Sequence, residues 1–180
     1  SASAPEATIT VYDAYGRELT VTRAHWLESV LRPGLEKAWN RPDELYGLVD
    51  NALNVGFLDE VDEATAQLQR TDPDIERGHG IRAIVLLEHG RLDESGRVLA
   101  LAASRVGETA AILTNLAKVQ AARGDHELAR TTLWRAIERD SNFDNAVMWW
   151  AALAQEREGA QGSRRALEHV AALPGSVRAQ

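Results

Sequence analysis

Three glycines at equal spacing constrain the fold of this 180-residue chain more than any other feature. Gly56, Gly90 and Gly124 lie 34 residues apart, and each stands between two stretches whose apolar residues recur at helical intervals. Glycine readily adopts the left-handed conformation in which a helix ends and the chain reverses. The spacing therefore predicts a series of helical hairpins of equal length.

Small and apolar residues repeat at the same 34-residue interval. The four registers are Val49, Ala83, Ala117 and Ala151; Leu68, Ala102, Ala136 and Val170; Val61, Ser95, Ala129 and Ser163; and Thr65, Leu99, Leu133 and Leu167. Small residues within a helix allow two backbones to approach closely, and larger ones fill the space behind them. Because one hairpin cannot bury both of its faces, we expect successive hairpins to stack into a solenoid.

This pattern resembles the tetratricopeptide repeat (TPR). The third unit matches the family best, through Leu113, Leu116, Ala117, Gly124, Asp125, Ala129, Leu133 and Ala136. The resemblance implies an all-α superhelix of four repeats, at residues 42–75, 76–109, 110–143 and 144–177, with residues 178–180 opening a possible further repeat. The family's Trp and Tyr of the first helix are missing, Arg82 replaces an expected Leu, and Gly159 of the fourth unit lies one place late.

The first 41 residues differ from the repeats. Apolar and polar residues alternate on both sides of a turn within residues 7–22, which predicts a short β-hairpin. Thr22 is placed to cap a following helix that contains Trp26, and Pro33-Gly34 is expected to stop it before a second short helical piece. We interpret residues 1–41 as an N-terminal adaptor.

Composition excludes several function classes. The net charge of −7 leaves no basic surplus for a nucleic-acid backbone. The longest apolar run, Ala146 to Ala154, is far shorter than the roughly 20 residues of a spanning helix. The absence of cysteine excludes disulfides and thiolate metal sites, and we expect a cytoplasmic location.

Since the chain lacks an initiator Met and a capping helix after residue 177, we expect a fragment of a longer protein.

No catalytic or cofactor motif is convincing. Gly78-His79-Gly80-Ile81-Arg82-Ala83 fits a dinucleotide fingerprint only in letters, because no strand precedes it. Acidic groups near Asp72 and Asp140 lack the glycine and the glutamate of a calcium loop. The five histidines show no metal-ligand spacing on one helix face. We therefore expect a protein that is not an enzyme and holds no cofactor or metal.

The TPR resemblance implies a concave groove lined by the first helix of each repeat. The groove positions singled out in this chain are Tyr46, Asp50, Leu53, Ile84, Leu87, Thr114, Asn115, Lys118, Met148 and Trp149. Their mixed apolar and polar character favours an extended segment or an amphipathic helix as ligand. For Trp149, groove contact and burial under a neighbouring helix both stay open, whereas Trp150 is expected in the core of its hairpin.

Two functions follow from this reading. The first is a non-catalytic scaffold that holds a protein or peptide segment in the groove. The alternative is a structural module that forms a homo-oligomer or packs against the rest of a longer chain.

Overall fold

A computed structural model of the chain describes residues 6–179. The described chain is mostly helical, with one small antiparallel sheet, which confirms the expected class at this level. Its contacts form two compact units, one within residues 1–73 and the other within residues 74–180.

The first unit contains β1 (Thr8–Tyr12), β2 (Glu18–Thr22), α1 (Arg23–Trp26), a π-helical segment (Leu27–Leu31), α2 (Arg32–Ala38), α3 (Pro42–Asn54), a 3₁₀ turn (Asp59–Val61) and α4 (Asp62–Thr71). The second contains α5 (Ile75–Glu88), α6 (Leu92–Val106), α7 (Ala110–Ala122), α8 (His126–Arg139), α9 (Asp144–Ala171) and a 3₁₀ turn (Val177–Ala179).

The predicted β-hairpin is confirmed. Strands β1 and β2 pair antiparallel, with Ile9 opposite Val21. The Asp13 carboxylate organises the turn by accepting hydrogen bonds from the backbone N–H groups of Tyr15 (2.8 Å) and Arg17 (2.9 Å), and from Arg17 Nε (2.7 Å). The bond from the Arg17 backbone is the main reason that the pKa of Asp13 lies below its usual value.

The helix after the hairpin does not stop at Pro33-Gly34, and that prediction is wrong. Thr22 caps α1 as expected, because its hydroxyl accepts a hydrogen bond of 3.1 Å from a first-turn N–H. Helical backbone then continues through the π segment, in which Arg32 N–H reaches back to the Leu27 carbonyl. Proline lacks an N–H and its ring crowds the preceding turn. Pro33 is tolerated because it lies in the first turn of α2, directly after this wider turn.

Arg23 joins the start of the first unit to the end of α3. Its guanidinium donates to the carbonyl oxygens of Val55 (2.7 Å) and Gly56 (3.1 Å), which are left over where α3 ends. The same group lies 4.0 Å from the centroid of the Phe57 ring, and Phe57 stacks on Trp26 at 5.2 Å. The Arg23 guanidinium and the Trp26–Phe57 stack therefore hold the N-terminal adaptor against the turn that joins α3 to α4.

The three equally spaced glycines end their helices in the same way. Their φ angles are +88° at Gly56, +73° at Gly90 and +89° at Gly124. In each case the glycine N–H bonds to the carbonyl three residues back, and the next N–H bonds to the carbonyl five residues back, at 2.9–3.0 Å. This is the Schellman motif, which satisfies two carbonyls of the ending helix and reverses the chain. The predicted hairpin turns are confirmed.

Within the second unit, each helix packs on the helices that follow it. Helix α5 contacts α6 and α7, α6 contacts α7, α7 contacts α8 and α9, and α8 contacts α9. In the first pair, one of the predicted small positions makes a direct contact, since Ser95 Oγ donates a 2.7 Å hydrogen bond to the Ala83 carbonyl. The side chain at this position of α6 is short enough to bond directly to the backbone of α5.

The predicted registers are buried in the first three of the 34-residue repeats, and the pattern of burial changes in the fourth. The buried positions of these registers are Val49, Ala83, Ala117, Ala151, Leu68, Ala102, Ala136, Val170, Val61, Ser95, Ala129, Thr65, Leu99 and Leu133. Helix α9 is interrupted at Gly159, whose backbone is not helical (φ +70°), and in the part after this residue Gly162 and Ala166 are buried, while Ser163 and Leu167 are only partly covered. A Cβ on Gly162 would lie 2.6 Å from the Ala154 carbonyl oxygen, so this glycine permits an unusually close approach.

The segment after α9 folds back on the loop that precedes α9. The Asn142 side chain donates to the Gly175 carbonyl (3.0 Å) and accepts from the Val177 N–H (2.9 Å). Arg178 donates to the Ser141 carbonyl (2.8 Å) and also bonds to the Asp144 carboxylate. Both ends of α9 are therefore held to the same loop.

The turn glycines can be tested at Gly124. We expect Gly124→Ala to lower the free energy of unfolding by about 1–2 kcal/mol, because alanine disfavours positive φ. No atom lies within 4 Å of a Cβ added there, so the cost is conformational rather than steric. Urea denaturation measures the change.

Gly47 in α3 is the matched control. It is exposed, has helical φ and has an equally open Cβ position, so Gly47→Ala should raise the free energy of unfolding by up to about 1 kcal/mol. Equal effects at the two positions would contradict the conformational explanation.

His79 is a titratable group inside the second unit. Its side chain is 2% exposed, and its Nδ1 donates a 3.0 Å hydrogen bond to the Ile75 carbonyl. Burial lowers the pKa of His79, since the charged form is disfavoured away from water; the bond to Ile75 opposes this shift and the charge of Arg105 adds to it. Folding therefore favours the neutral imidazole.

This predicts a pH dependence of stability. As pH falls below about 6.5, the unfolded chain binds a proton at His79 that the folded chain binds less readily, so stability present above that pH is progressively lost. We expect His79→Asn, which keeps an N–H donor, to reduce the fall in melting temperature between pH 7.5 and pH 5 by removing this term. The same substitution at the exposed His126 should leave the pH dependence much closer to that of the unmodified chain.

Candidate functional site

A small apolar pocket lies beside Trp149, one of the residues selected from the sequence. The pocket has a volume of about 230 Å³, and its walls are Trp149 and Leu153 of α9, Ala121 of α7 and Ala129 of α8. Its remaining lining residues are charged or titratable, namely His126, Glu127, Arg130, Glu156 and Arg157. We refer to this cavity as the tryptophan pocket.

The pocket follows from local sequence. Trp149 and Leu153 are one helical turn apart, so both side chains lie on the same face of α9. The two opposing wall residues, Ala121 and Ala129, are alanines, and their short side chains leave a hollow opposite the indole. An apolar cavity rimmed by polar groups is the usual form of a ligand site.

Arg130 separates the tryptophan pocket from a second aromatic feature. The rings of Trp150 and Trp134 lie 5.1 Å apart, and Trp134 stacks on His169 at 4.5 Å. The Arg130 guanidinium lies 5.5 Å from the Trp150 ring, and Trp134 Nε1 donates to Glu138 at 3.0 Å. We call Arg130, Trp150, Trp134 and His169 the aromatic ladder.

The expected position of Trp150 is met in part, since this residue packs against the buried core cluster of α7, α8 and α9. This residue is half-buried and lines a second, more open cavity of about 380 Å³ together with Trp134, rather than being enclosed in the core of its hairpin. The physical reason is its partner: the rings of Trp134 and Trp150 pack against each other at an angle of 42°, and Trp134 N–H donates to the Glu138 carboxylate.

The structure distributes the other predicted site residues of the second unit over different environments. Ile84, Leu87, Asn115, Lys118 and Trp149 are half-buried, and Met148 is 63% exposed. Asn115 lies against α5, since a Cβ on Gly80 would be 3.7 Å from its Nδ2.

Thr114 must be removed from the predicted set. It is 2% exposed, and its hydroxyl donates to the Ala110 carbonyl at 2.7 Å. Because the neighbouring helices α5 and α9 both pack on α7, a short side chain at this position is enclosed and cannot meet a ligand at the surface.

The predicted residues of the first unit lie on α3. Tyr46 and Leu53 are half-buried, and Asp50 is exposed, with its carboxylate 3.5 Å from Asn54 Nδ2. They form one flank of the helix, as their spacing of three and four residues requires.

Sequence reasoning missed Arg130, Ala129 and Leu153 as site residues. The Trp149–Leu153 spacing was a usable signal, because residues four apart share a helix face. The role of Arg130 had no such signal, since its position between two aromatic features depends on how α8 packs against α9.

A third cavity, of about 470 Å³, lies where the loops before α7 and α9 meet the start of α5. Its lining residues are Glu76, Val106, Gly107, Glu108, Thr109, Ala110, Ala111, Arg139, Asp140 and Phe143. Glu108 already pairs with Arg135, which makes this cavity less suited than the tryptophan pocket to hold an apolar side chain.

Searches for known site types and relatives give negative findings. Across residues 6–179, no group of three or more His, Asp or Glu side chains is arranged to hold a metal ion. None of the helices described here has the length and apolar character needed to span a membrane. The chain matches no family model, no curated protein and no solved structure in the comparisons made.

The aromatic ladder predicts a measurable coupling. In a double-mutant cycle of Trp134→Leu and His169→Ala, followed by urea denaturation at pH 8, we expect a coupling energy of about 0.5–1.5 kcal/mol, typical of stacked rings. Pairing Trp134→Leu with His126→Ala, outside the ladder, should give strictly additive effects. Additivity in both cycles would show that the stack contributes nothing beyond area.

Proposed function

We propose that this chain is a non-catalytic, TPR-like interaction module that binds a segment of a partner protein by enclosing one of its bulky apolar side chains in the tryptophan pocket. The observation that carries the proposal is the pocket itself: Trp149 forms a wall of a small, partly enclosed cavity on a helical scaffold. Cytoplasmic location remains part of the proposal.

The repeat assignment is supported by local geometry. Three Schellman turns recur at 34-residue spacing, and the small registers that follow them are buried. In the second unit, α7 contacts both α5 and α9, and each neighbouring pair of these helices also contacts the helix that lies between them in the chain, as expected for stacked hairpins. A superhelical arrangement of TPR type is our interpretation of these neighbours.

The pocket supports recognition by hydrophobic burial. Enclosing a leucine- or phenylalanine-sized side chain contributes about 1.5–3 kcal/mol. A single such contact gives weak binding by itself, because association costs several kcal/mol. We therefore infer that the rest of the segment crosses the charged rim, where Glu127 lies 3.9 Å from Arg130 and both Glu156 and Arg157 are exposed.

A binding role suits the chemistry of the lining better than a reaction does. The walls are hydrocarbon and indole, with no hydroxyl or thiol nucleophile, and the charged groups lie at the rim. Such an arrangement selects by shape and charge rather than by proton transfer.

The test is selection from a random 12-residue peptide library displayed on phage, with the full chain immobilised. We expect enriched peptides to share one bulky apolar residue and to bind with affinities that isothermal titration calorimetry can measure. Trp149→Ala should weaken binding at least tenfold by opening the pocket, and Ala121→Trp should do so by filling it.

Leu128→Ala is the matched control, because Leu128 is an apolar residue of α8, 52% exposed, that does not line the pocket. Its affinity for the selected peptides should equal that of the unmodified chain. Peptides that bind all three variants equally, or a library that shows no enrichment, would overturn the pocket as the binding site. Lys118→Ala then measures how far the segment extends along α7.

A further inference from the structure

The first half of α9 carries a face that is unlike the same face of α7. Four positions are involved, spaced three or four residues apart: Asn145, Met148, Ala152 and Gln155. All four are exposed, whereas their counterparts 34 residues earlier are partly or fully buried; these are Ala111, Thr114, Lys118 and Ala121. Met148 is 63% exposed and Thr114 is 2% exposed.

The packing of the helices explains the difference. Helix α9 contacts α7, and α7 contacts α5, so the same helix-to-helix contact is used twice in succession. Among the described elements, α9 makes its main contacts only with α7, α8 and the 3₁₀ turn that follows it. The face of α9 that continues this series of contacts is therefore uncovered, and we call it the terminal face.

We propose that the terminal face pairs with the terminal face of a second copy of this chain, with the two α9 helices antiparallel. Met148 and Ala152 are one turn apart, about 6 Å along the axis. Around a two-fold axis between them, Met148 meets Ala152 of the partner subunit, so that a long side chain fills the space beside a short one. Asn145 then meets Gln155 of the partner subunit, and two amides can exchange hydrogen bonds.

The charge distribution permits this pairing. Residues 1–73 carry 13 acidic and 6 basic side chains, which accounts for the whole net charge of −7. Residues 74–180 carry 14 of each and are neutral overall. Association through the second unit therefore meets no net-charge repulsion, and the four residues of the terminal face are themselves uncharged.

Position by position, the terminal face also lacks strong repulsion. Asp144 approaches Glu156 of the partner subunit in this alignment, but the Asp144 carboxylate is already bonded to Arg178. The adjacent Arg157 adds a positive charge at the same end of the face. The inference does not rest on ligand binding in the tryptophan pocket, since Met148 and Trp149 point about 100° apart on the helix, although Glu156 and Arg157 lie beside both surfaces.

Sedimentation velocity of the full chain, from low micromolar to near-millimolar concentration, tests the pairing. We expect the mass to rise with concentration from 19.7 kDa toward twice that value. Met148→Glu should weaken self-association at least tenfold, because it buries an unpaired charge at the centre of the interface. Leu128→Glu, an equivalent change at an exposed apolar residue of α8, should leave it unchanged, and circular dichroism confirms that both variants are folded.

Disulfide trapping tests the antiparallel geometry, and the absence of cysteine from the chain makes it clean. Met148→Cys mixed with Ala152→Cys should give the mixed disulfide faster than either variant forms its own. Preferential Met148→Cys homodimers would instead indicate parallel helices and overturn this alignment. A concentration-independent monomer, or equal effects of the two glutamate variants, would overturn the proposal altogether.

Discussion

The left-handed glycine at the end of each first helix is the constraint on which the helical part of this molecule depends. Because the two hydrogen bonds of the Schellman motif reverse the chain at the same point in successive units, they fix which faces of the two helices meet. Small residues then fall where backbones approach, as Ser95 does against the Ala83 carbonyl. The fourth repeat departs from this scheme: Gly159 comes one residue late, and Gly162 and Ala166 are buried where Ser163 and Leu167 were expected.

Local rules explain what could be predicted from the sequence. The β-hairpin, the Thr22 cap and the turns at Gly56, Gly90 and Gly124 each depend on a few neighbouring residues, so spacing and residue type were sufficient. Pro33 was misread because a π turn accommodates it, and that adjustment cannot be recognised from residue types alone. Thr114 was misplaced because its enclosure depends on two helices that contact α7 from different sides. The tryptophan pocket combines residues of three helices, so spacing along α9 points to Trp149 and Leu153 but not to the wall that α8 contributes at Ala129.

One turn of α9 serves three surfaces. Met148, Trp149 and Trp150 are consecutive, and the rotation of about 100° per residue sends them to the terminal face, the tryptophan pocket and the aromatic ladder. Arg130 contacts the last two of these, since it lines the pocket and lies over Trp150. A ligand that moves Arg130 would therefore also change the environment of Trp150, which gives the pocket an intrinsic fluorescent reporter one residue away from its own wall.

The hydrogen bonds of Asn142 determine which residues of the segment after α9 can be substituted. Its amide has the same donor and acceptor as a peptide group, and it pairs with the backbone at Gly175 and Val177 rather than with any side chain. Such a contact depends on the course of the backbone and not on the side chains that the segment carries. Gly175 is the exception, because its φ of +80° forms the bend. Substitutions at Val177 should thus be tolerated, whereas the neighbouring Arg178 is tied to the loop through its own side chain, so the loop before α9 fixes the course of the chain at one residue and the residue type at the next.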